Sequence, residues 1–516
     1  MWQRPRMQQI AHLLVANRGE IAIRVLRAAA DLGIRTTAVY TVADATSRHT
    51  AHADVAIELP GSGVGGYLDI EAIIAAATAN GADAIHPGYG FLAENADLAR
   101  ACAAAGITFV GPTSEVLGLF GDKVTARQTA AAAGLPILAG SPGPATVDEA
   151  GALLETHGAI MLKAVAGGGG RGMRAVRTAD ELASAWDRCV SEATKAFGRG
   201  DVYVEQLVQR ARHIEVQIVG DGSAVTHLGE RDCSVQRRNQ KVVEIAPAPN
   251  LPSEVRDQIC AAAVELGRSV SYSSVGTVEF LVNADDPAQF WFIETNARIQ
   301  VEHTITEEVS GVDVVATQLR LAQGATLADL DLTEPPAIRG WAIQARINAE
   351  TIEPSGLTKP SSGTIGVIEL AAGPGVRVDS AGYAGLAINA NFDSLLAKLI
   401  VHRPRGTFAE AAAKLRSALA ECRIEGVATN LGFLRNIVDH QMFASATTGF
   451  VEEQLAELTA APVGPLRHVV TSRTPTAPHE QAGARLDSTD PLAVLDFGHE
   501  VATSTTTKQI VEATLP

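Results

Sequence analysis

The segment WFIETNARIQVEH, Trp291 to His303, places Glu294, Asn296, Arg298, Gln300 and Glu302 at every second position. In an extended chain that spacing sends all five polar groups to one side. Acid, amide, cation, amide and acid on one face make a poor core and a poor solvated strand, so the face reads as the floor of a site. A further acid opposes it. The hairpin VGTVEFLV–NADDPAQ–FWFIE turns about Asp286–Pro287, and symmetrical pairing sets Glu279 opposite Glu294. Like charges facing across a ladder are destabilising. Phe280, Trp291 and Ile293 around them raise the cost of two unpaired carboxylates. A divalent cation removes the conflict, and an all-oxygen donor set, with Asn296 two residues beyond Glu294, points to Mg2+ or Mn2+. The alternative, an edge hairpin with its acids in water, is disfavoured by the aromatic content.

Other stretches carry weaker signals. GGGGRG, Gly167 to Gly172, lies between two β-like segments, where bare backbone can approach phosphates. It lacks the GK[ST] of a P-loop, and a surface turn explains it about as well. Lys163, inside the apolar strand IMLKAV, is out of place as a plain core residue. Lys123 opens a helix and reads alone as a surface charge. The segment from Glu230 to Pro249 puts Arg231, Arg237, Arg238 and Lys241 into an otherwise acidic chain, either as a solvated loop or as an anion-binding cluster. His213 reads equally as a structural histidine or a ligand contact.

The elements that must position these residues follow an α/β rhythm. IAHLLVAN, a helix with Ile21, Val25, Leu26 and Ala29 on one face and Gly33 past its end, and IRTTAVYT form a βαβ unit. Strands and helices alternate to about Pro112, which predicts an open parallel sheet. GxGxxG is missing after the first strand, so a dinucleotide site is poorly supported. A second region opens with the helix DKVTARQTAAAAG and holds a smaller segment from about Pro136 to Val208. Strand-rich sequence follows from Arg212, and a third region follows ADLDLTEPP, with the strand GWAIQARINAE, a glycine-rich β stretch from Gly363 to about Ala387 and the helix AEAAAKLRSALAECR. Residues 460–490 lose periodicity and read as a linker.

A net charge of −16 disfavours a general nucleic-acid or anionic-membrane surface. The five cysteines, Cys102, Cys189, Cys233, Cys260 and Cys422, form no CxxC pair, which fits a reducing cytoplasm. No stretch approaches the roughly 18–20 apolar residues of a membrane span, and the run Leu13 to Ala16 is too short for a signal peptide.

LLVANRGEIAIRV, HPGYGFLAEN, GDK, LKAVAGGGGRGMR, ERDCSVQRRNQK, IETNARIQVEH, ARINAE and FDSLLAKL together resemble the biotin carboxylase component of biotin-dependent carboxylases, in that family's order across residues 10–455. VEHTITEEVSGVD and RIEGVATNLGFL look closer to the acyl-CoA and pyruvate carboxylase types than to the most compact bacterial subunits. The resemblance implies a fold of α/β and α+β class: an ATP-grasp fold with an N-terminal Rossmann-like domain at 8–120. An ATP-grasp domain would follow at 121–331, with a mobile lid at about 137–208, then a C-terminal biotin carboxylase domain at 337–457. Residues 458–516 would be a linker or the start of a further element.

The same resemblance implies the roles. Lys123, Lys163, Gly168, Gly169, Gly170, Glu205, the Leu207 backbone, His213, Gln236 and Asn239 would bind ATP. Glu279, Glu294 and Asn296 would hold two Mg2+ or Mn2+ ions. Lys241, Arg298, Gln300 and the Val301 backbone would bind bicarbonate, with Glu302 as general base and Arg346 stabilising the biotin enolate. Asn239 stands where many members have histidine, and Ile245 replaces a common glutamate; both are expected near the anion site. GLAINANFDS lacks the prolines often found there, and Cys233 reads as a small packed residue near the site. No MKM-type biotinylation sequence is present, so biotin is expected on a separate carrier or beyond residue 516, with a carboxyltransferase as a further partner. A homo-oligomer, dimer or higher, is expected, in the cytoplasm and without nucleic acid or membrane. Another ATP-grasp ligase would share the lysines, glycine loop and metal acids but not RIQVEH with ARINAE. A non-enzymatic scaffold would not need Glu302, Arg298 and Lys241 together.

Overall fold

A computed structural model of the chain describes residues 9–165, 172–389 and 391–468. The N-terminal βαβ unit forms as expected. Strand β1 (His12–Val15) is buried at all four positions, and the helix Gly19–Asp31 packs Ile21, Val25, Leu26 and Ala29 inward. β2 (Arg35–Tyr40), β3 (Val55–Glu58), β4 (Ala84–His86) and β5 (Thr108–Phe109) complete a parallel sheet in the order β3-β2-β1-β4-β5. β3 is not legible in the sequence. It is an edge strand whose residues are half-buried or exposed, and its apolar run is only Val55 to Ile57.

A small antiparallel layer follows. β6 (Ile160–Ala164), β7 (Met173–Val176) and β8 (Val202–Gln206) pair in the order β7-β6-β8. The helices Val147–His157 and Ala179–Phe197 cover it, and Leu154, Ile160, Leu162, Val176, Cys189 and Val204 close a core of its own.

The largest sheet holds β9 (Ala211–Asp221), β10 (Val225–Arg237), β11 (Gln240–Ala246), β12 (Ser273–Asn283), β13 (Phe290–Asn296) and β14 (Trp341–Asn348), with the strands Leu395–Arg403 and Val376–Ser380 beyond. Its order is β13-β12-β9-β10-β11-β14, then Leu395–Arg403 and Val376–Ser380. β11 pairs with β14 through Val243↔Ala345, so one ladder runs unbroken from the second sequence region into the third. The glycine-rich stretch resolves into short pairs such as Gly363–Thr364 with Ala387–Ile388, because frequent glycine weakens long strands. Ile214, Val216, Val278 and Phe280 share one core with the helix Ser253–Ser269. Val243, Ala345 and Leu399 share another with the helix Phe408–Glu421.

The connection from β10 to β11 is as short as a hairpin allows. Arg238 and Asn239 both have positive φ, 47° and 63°, the backbone that matches the twist of antiparallel strands. Asn tolerates it better than most residues.

A sealed charge cluster ties the first helix to the C-terminal strands. Lys398 Nζ lies 2.9 Å from Glu20 and 3.6 Å from Asp379. Arg377 reaches Asp379 at 3.0 Å and Glu307 at 2.7 Å, and Arg24 reaches Glu307 at 2.8 Å.

Candidate active site

Polar residues alternate along β9 as they do along the segment from Glu294 to Glu302. Ladder pairing sets His213, Glu215 and Gln217 of β9 beside Leu281, Glu279 and Thr277 of β12. Glu279 in turn pairs with Glu294 of β13, the opposition expected from the loop's centre. Three acids therefore stand side by side across three strands. A bulge follows immediately: Phe280 pairs with Phe292, so Ile293 is the extra residue. Phe280 and Phe292 meet edge-on in the core, with ring centroids 6.5 Å apart.

Adjacent carboxylates need a cation, and Lys241 supplies one to two of these acids and to Glu302. Its Nζ lies 2.5 Å from Glu215, 3.0 Å from Glu279 and 2.6 Å from Glu302. Burial disfavours its charge, but the three acids prevail and hold its pKa well above the usual lysine value. Burial likewise pushes Glu279 upward, and Lys241 and His213 more than offset it, so the carboxyl sits far below its usual range. Glu302 is also held low: burial and Glu215 oppose its charge, and Lys241, Arg346 and Arg231 outweigh them.

The five polar residues converge, but not on one straight strand. β13 ends at Asn296. Arg298 and Gln300 come from the loop beyond it, and Glu302 is the residue just before the helix His303–Ser310. The loop is held from outside, by Lys398 donating to Val301 O at 3.2 Å and by the His303 ring 2.7 Å from Gln300 O. Gln300 donates to Glu279 at 2.8 Å. Arg298 donates to Glu94 at 2.9 Å and to Asn296 Oδ1 at 2.6 Å. On the other side of Glu302, Arg346 of β14 donates to it at 3.0 Å and to Glu244 of β11 at 2.5 Å.

The residues expected to meet ATP fall into two groups. Lys163 Nζ lies 2.5 Å from Glu205, which also accepts from Arg127 at 3.0 Å. Lys123 starts the helix Lys123–Ala132, and burial lowers its pKa although Glu294 pulls the other way. The Leu207 amide donates to Ala159 O at 3.0 Å. His213 belongs to the central cluster, with Nε2 2.8 Å from Glu279 and Nδ1 2.6 Å from Gln236 Nε2. With Gln236 donating there, the ring proton belongs on Nε2, which lies close to Glu279 without the alignment of a hydrogen bond. Gly168, Gly169 and Gly170 lie outside the described residues.

The anion-binding cluster expected from Arg231, Arg237, Arg238 and Lys241 contracts to Lys241. Arg231 is fully buried beneath the site. Arg237 is buried and directed at Gly356 O, and Arg238 is exposed. Asn239 is also exposed, in the turn. Ile245 is not at the anion site. Strand alternation turns it into the core with Val235 and Val243, while Glu244 faces Arg346. Cys233 is buried as expected, and burial pushes its thiol far up.

Glu279 and Glu294 suit a hard divalent cation by donor chemistry and by their opposition. Asn296 marks the place between them: its Nδ2 lies 3.3 Å from an oxygen of each. Its oxygen is turned to Arg298, so a half-turn of the amide is required before Asn296 offers oxygen to a cation.

Glu215 and Glu244, which the sequence reading does not single out, form a supporting layer with Arg231, which it reads as a loop cation or an anion contact. The signal is present in HIEVQIV, where His213, Glu215 and Gln217 alternate inside an apolar strand.

Comparison with known proteins covers all three layers. Residues 9–117 match the family described as "Biotin carboxylase, N-terminal domain". Residues 122–330 match "Carbamoyl-phosphate synthase L chain, ATP binding domain", and residues 344–453 match "Biotin carboxylase C-terminal domain". The pyruvate carboxylase of Aspergillus niger is 48% identical over 459 residues, covering 87% of this chain and 38% of that protein. The chain thus spans about two fifths of the length of the curated relatives it matches. The biotin carboxylase domain of Hydrogenobacter thermophilus 2-oxoglutarate carboxylase, solved as a dimer with MgADP, ADP and bicarbonate, superposes with a TM-score of 0.84 at 42% identity. That match covers 88% of this chain and all of that one. Biotin carboxylase from Campylobacter jejuni, solved as a β,γ-ATP complex, gives a TM-score of 0.82 at 38% identity, covering 86% of this chain and 99% of that one.

Proposed function

The chain belongs to the biotin carboxylase family, and we propose that it is an ATP-dependent ligase that carboxylates biotin with bicarbonate. This would be the first half-reaction of an acyl-CoA or pyruvate carboxylase. The observation that carries the reading is Glu302, held ionised between Lys241 at 2.6 Å and Arg346 at 3.0 Å. A carboxylate between two cations is unprotonated at neutral pH and so free to accept a proton, and it stands beside the groups able to hold an anion.

In this reading Lys241, Arg298, Gln300 and the Val301 amide hold bicarbonate, and Glu302 takes its proton. The bicarbonate oxygen attacks the γ-phosphorus of ATP, and ADP leaves as carboxyphosphate forms. Carboxyphosphate then breaks into CO2 and phosphate. The phosphate removes the N1′ proton of biotin, the nitrogen attacks CO2, and Arg346 offsets the enolate charge on the ureido oxygen. Lys123 and Lys163 would neutralise the ATP phosphates. Gly168, Gly169 and Gly170 would cover them, and Glu205, Leu207, His213, Gln236 and Asn239 would complete the nucleotide contacts. Glu279 and Glu294, with Asn296 beside them, would hold two Mg2+ or Mn2+ ions, whose positive charge offsets that of the phosphates.

We assign biotin to a carrier domain or protein and the second half-reaction to a carboxyltransferase unit, acting on an acyl-CoA or pyruvate. A homo-oligomer, dimer or higher, three domains divided near residues 120 and 331–337, a mobile lid at about 137–208 and a cytoplasmic setting complete the proposal. No helix among the described residues is long and apolar enough to cross a membrane.

The test is ADP release with Mg2+, bicarbonate and free biotin. Wild type should show turnover that depends on both bicarbonate and biotin, and Glu302→Gln should lose roughly 100-fold or more. A chain that binds ATP but shows no such turnover overturns the reading.

A further inference from the structure

Arg231 never reaches the open side of the site, yet every N–H of its guanidinium is used within it. The side chain is fully buried. Nε donates to Glu215 Oε1 at 2.6 Å. One terminal nitrogen donates to Gln217 at 2.8 Å and to Thr306 at 2.9 Å. The other donates to Thr277 at 3.1 Å and to Gln300 Oε1 at 2.7 Å. Five donors meet five acceptors on two strands, a loop and a helix. A guanidinium presents its five donors in a fixed planar fork, so the positions of the five acceptors are set relative to one another.

Two of those acceptors matter for the anion. By occupying Oε1 of Gln300, Arg231 decides which way that amide faces, and its Nε2 is left to donate to Glu279 at 2.8 Å. By occupying Oε1 of Glu215, it leaves Oε2 to grip Lys241 at 2.5 Å. Gln300 and Lys241 are two of the four groups assigned to bicarbonate. Arg231 of β10 pairs with Glu215 of β9 in the ladder, so the fork is anchored on the sheet rather than on the loop it orients. The nucleotide-side contacts of Lys163 and Glu205 lie on the small layer and share no partner with it.

We infer that Arg231 is a positioning residue for bicarbonate: it fixes Gln300 and, through Glu215, Lys241, without touching substrate. The inference rests on the bicarbonate reading of Lys241 and Gln300 given above. Its signature is a split between substrates. Removing a buried residue that orients a liganding one commonly costs roughly 10–100-fold in affinity for what that ligand holds. The cost here should fall on bicarbonate and spare the nucleotide.

The experiment measures ADP release against bicarbonate and against ATP, with ATP dissociation constants measured separately, in Arg231→Lys, Thr306→Val and Gln300→Ala. Lysine keeps the charge but has only three donors and no fork. Arg231→Lys should raise KM for bicarbonate roughly tenfold or more while leaving KM and Kd for ATP within about twofold. Thr306→Val, which removes one strut and no assigned ligand contact, should shift bicarbonate KM in the same direction by a smaller factor. That variant serves as the test if Arg231→Lys does not fold. A folded variant whose bicarbonate and ATP constants change together, or whose bicarbonate KM is unchanged, overturns the inference. Gln300→Ala separates the two possible failures. If it raises bicarbonate KM while the Arg231 and Thr306 variants do not, only the positioning role falls. If it leaves bicarbonate KM unchanged, the bicarbonate assignment itself falls.

Discussion

Two buried charge clusters on this chain are built from the same residue types and differ at their central lysine. Around Lys241, a lysine is shared by Glu215, Glu279 and Glu302, with Arg346 and Arg298 alongside. Around Lys398, a lysine is shared by Glu20 and Asp379, with Arg377 and Arg24 alongside. The outer arginines are comparably exposed, Arg377 and Arg24 at 25% and 11% beside Arg346 and Arg298 at 17% and 20%. The central lysines are not: Lys398 is 0% exposed and Lys241 13%. An opening at the central lysine separates the two. The cations around Lys241 can exchange a carboxylate for an incoming anion, while Lys398 can only hold the elements that seal it.

The largest expected effect opposes one substitution in each cluster. Glu302→Gln should cost roughly 100-fold or more in turnover and less stability than Lys398→Met. Lys398→Met removes one partner of a sealed pair and should cost about 3–5 kcal/mol in urea unfolding. Equal stability losses from both would erase the distinction drawn between them.

Acid should sharpen it next. His303, next to Lys398, Arg24 and Arg377, is held well below the usual histidine pKa, first by burial and then by those cations. Burial likewise lowers His86 and His49 to about 4. Each ring is neutral when folded and takes a proton near pH 6.5 when unfolded. Between about 6.5 and 4 the unfolded chain therefore binds more protons, and stability falls with pH by about 1.4 kcal/mol per unit for each histidine. Asp379 behaves oppositely in range. Burial raises its pKa, but Lys398 and Arg377 prevail and set it at about 2, so its contribution persists above the ordinary carboxylate range and is lost only as pH falls toward that value. The urea midpoint should thus drop between pH 7 and 5, less so in His86→Gln. A flat profile would contradict this.

The smallest effect concerns Asn239. Its φ of 63° makes Asn239→Ala cost about 1–2 kcal/mol. Exposed in its turn, it should leave bicarbonate KM within about twofold; a larger change would return it to the site.

Much of this was legible because the sequence periodicities survive folding. The opposition of Glu279 and Glu294 was expected from symmetrical pairing about Asp286–Pro287; the strand ends nearest the loop instead pair about Asp286, and it is the bulge at Ile293, on the loop side of the acids, that brings Glu294 opposite Glu279. The straight face from Glu294 to Glu302 did not hold. Alternation in sequence continues past Asn296, but the backbone leaves the ladder there and the loop is bent by His303 and by Lys398, which lies 97 residues from the Val301 carbonyl it binds. Glu244, and the buried role of Arg231 in place of the expected anion contact, were hidden for a similar reason. Whether a charged residue in a strand faces solvent, a site or a neighbour depends on pairing with β9 and β14, which lies outside any local pattern.

The two-residue turn at Arg238–Asn239 has a mechanical consequence. It sets Gln236 directly opposite Lys241, so the residue that orients His213 and the residue that grips three carboxylates are the two arms of one stiff clip. The turn thereby fixes the backbone spacing between these two arms, whereas Arg231 sets only the side chains that face the anion.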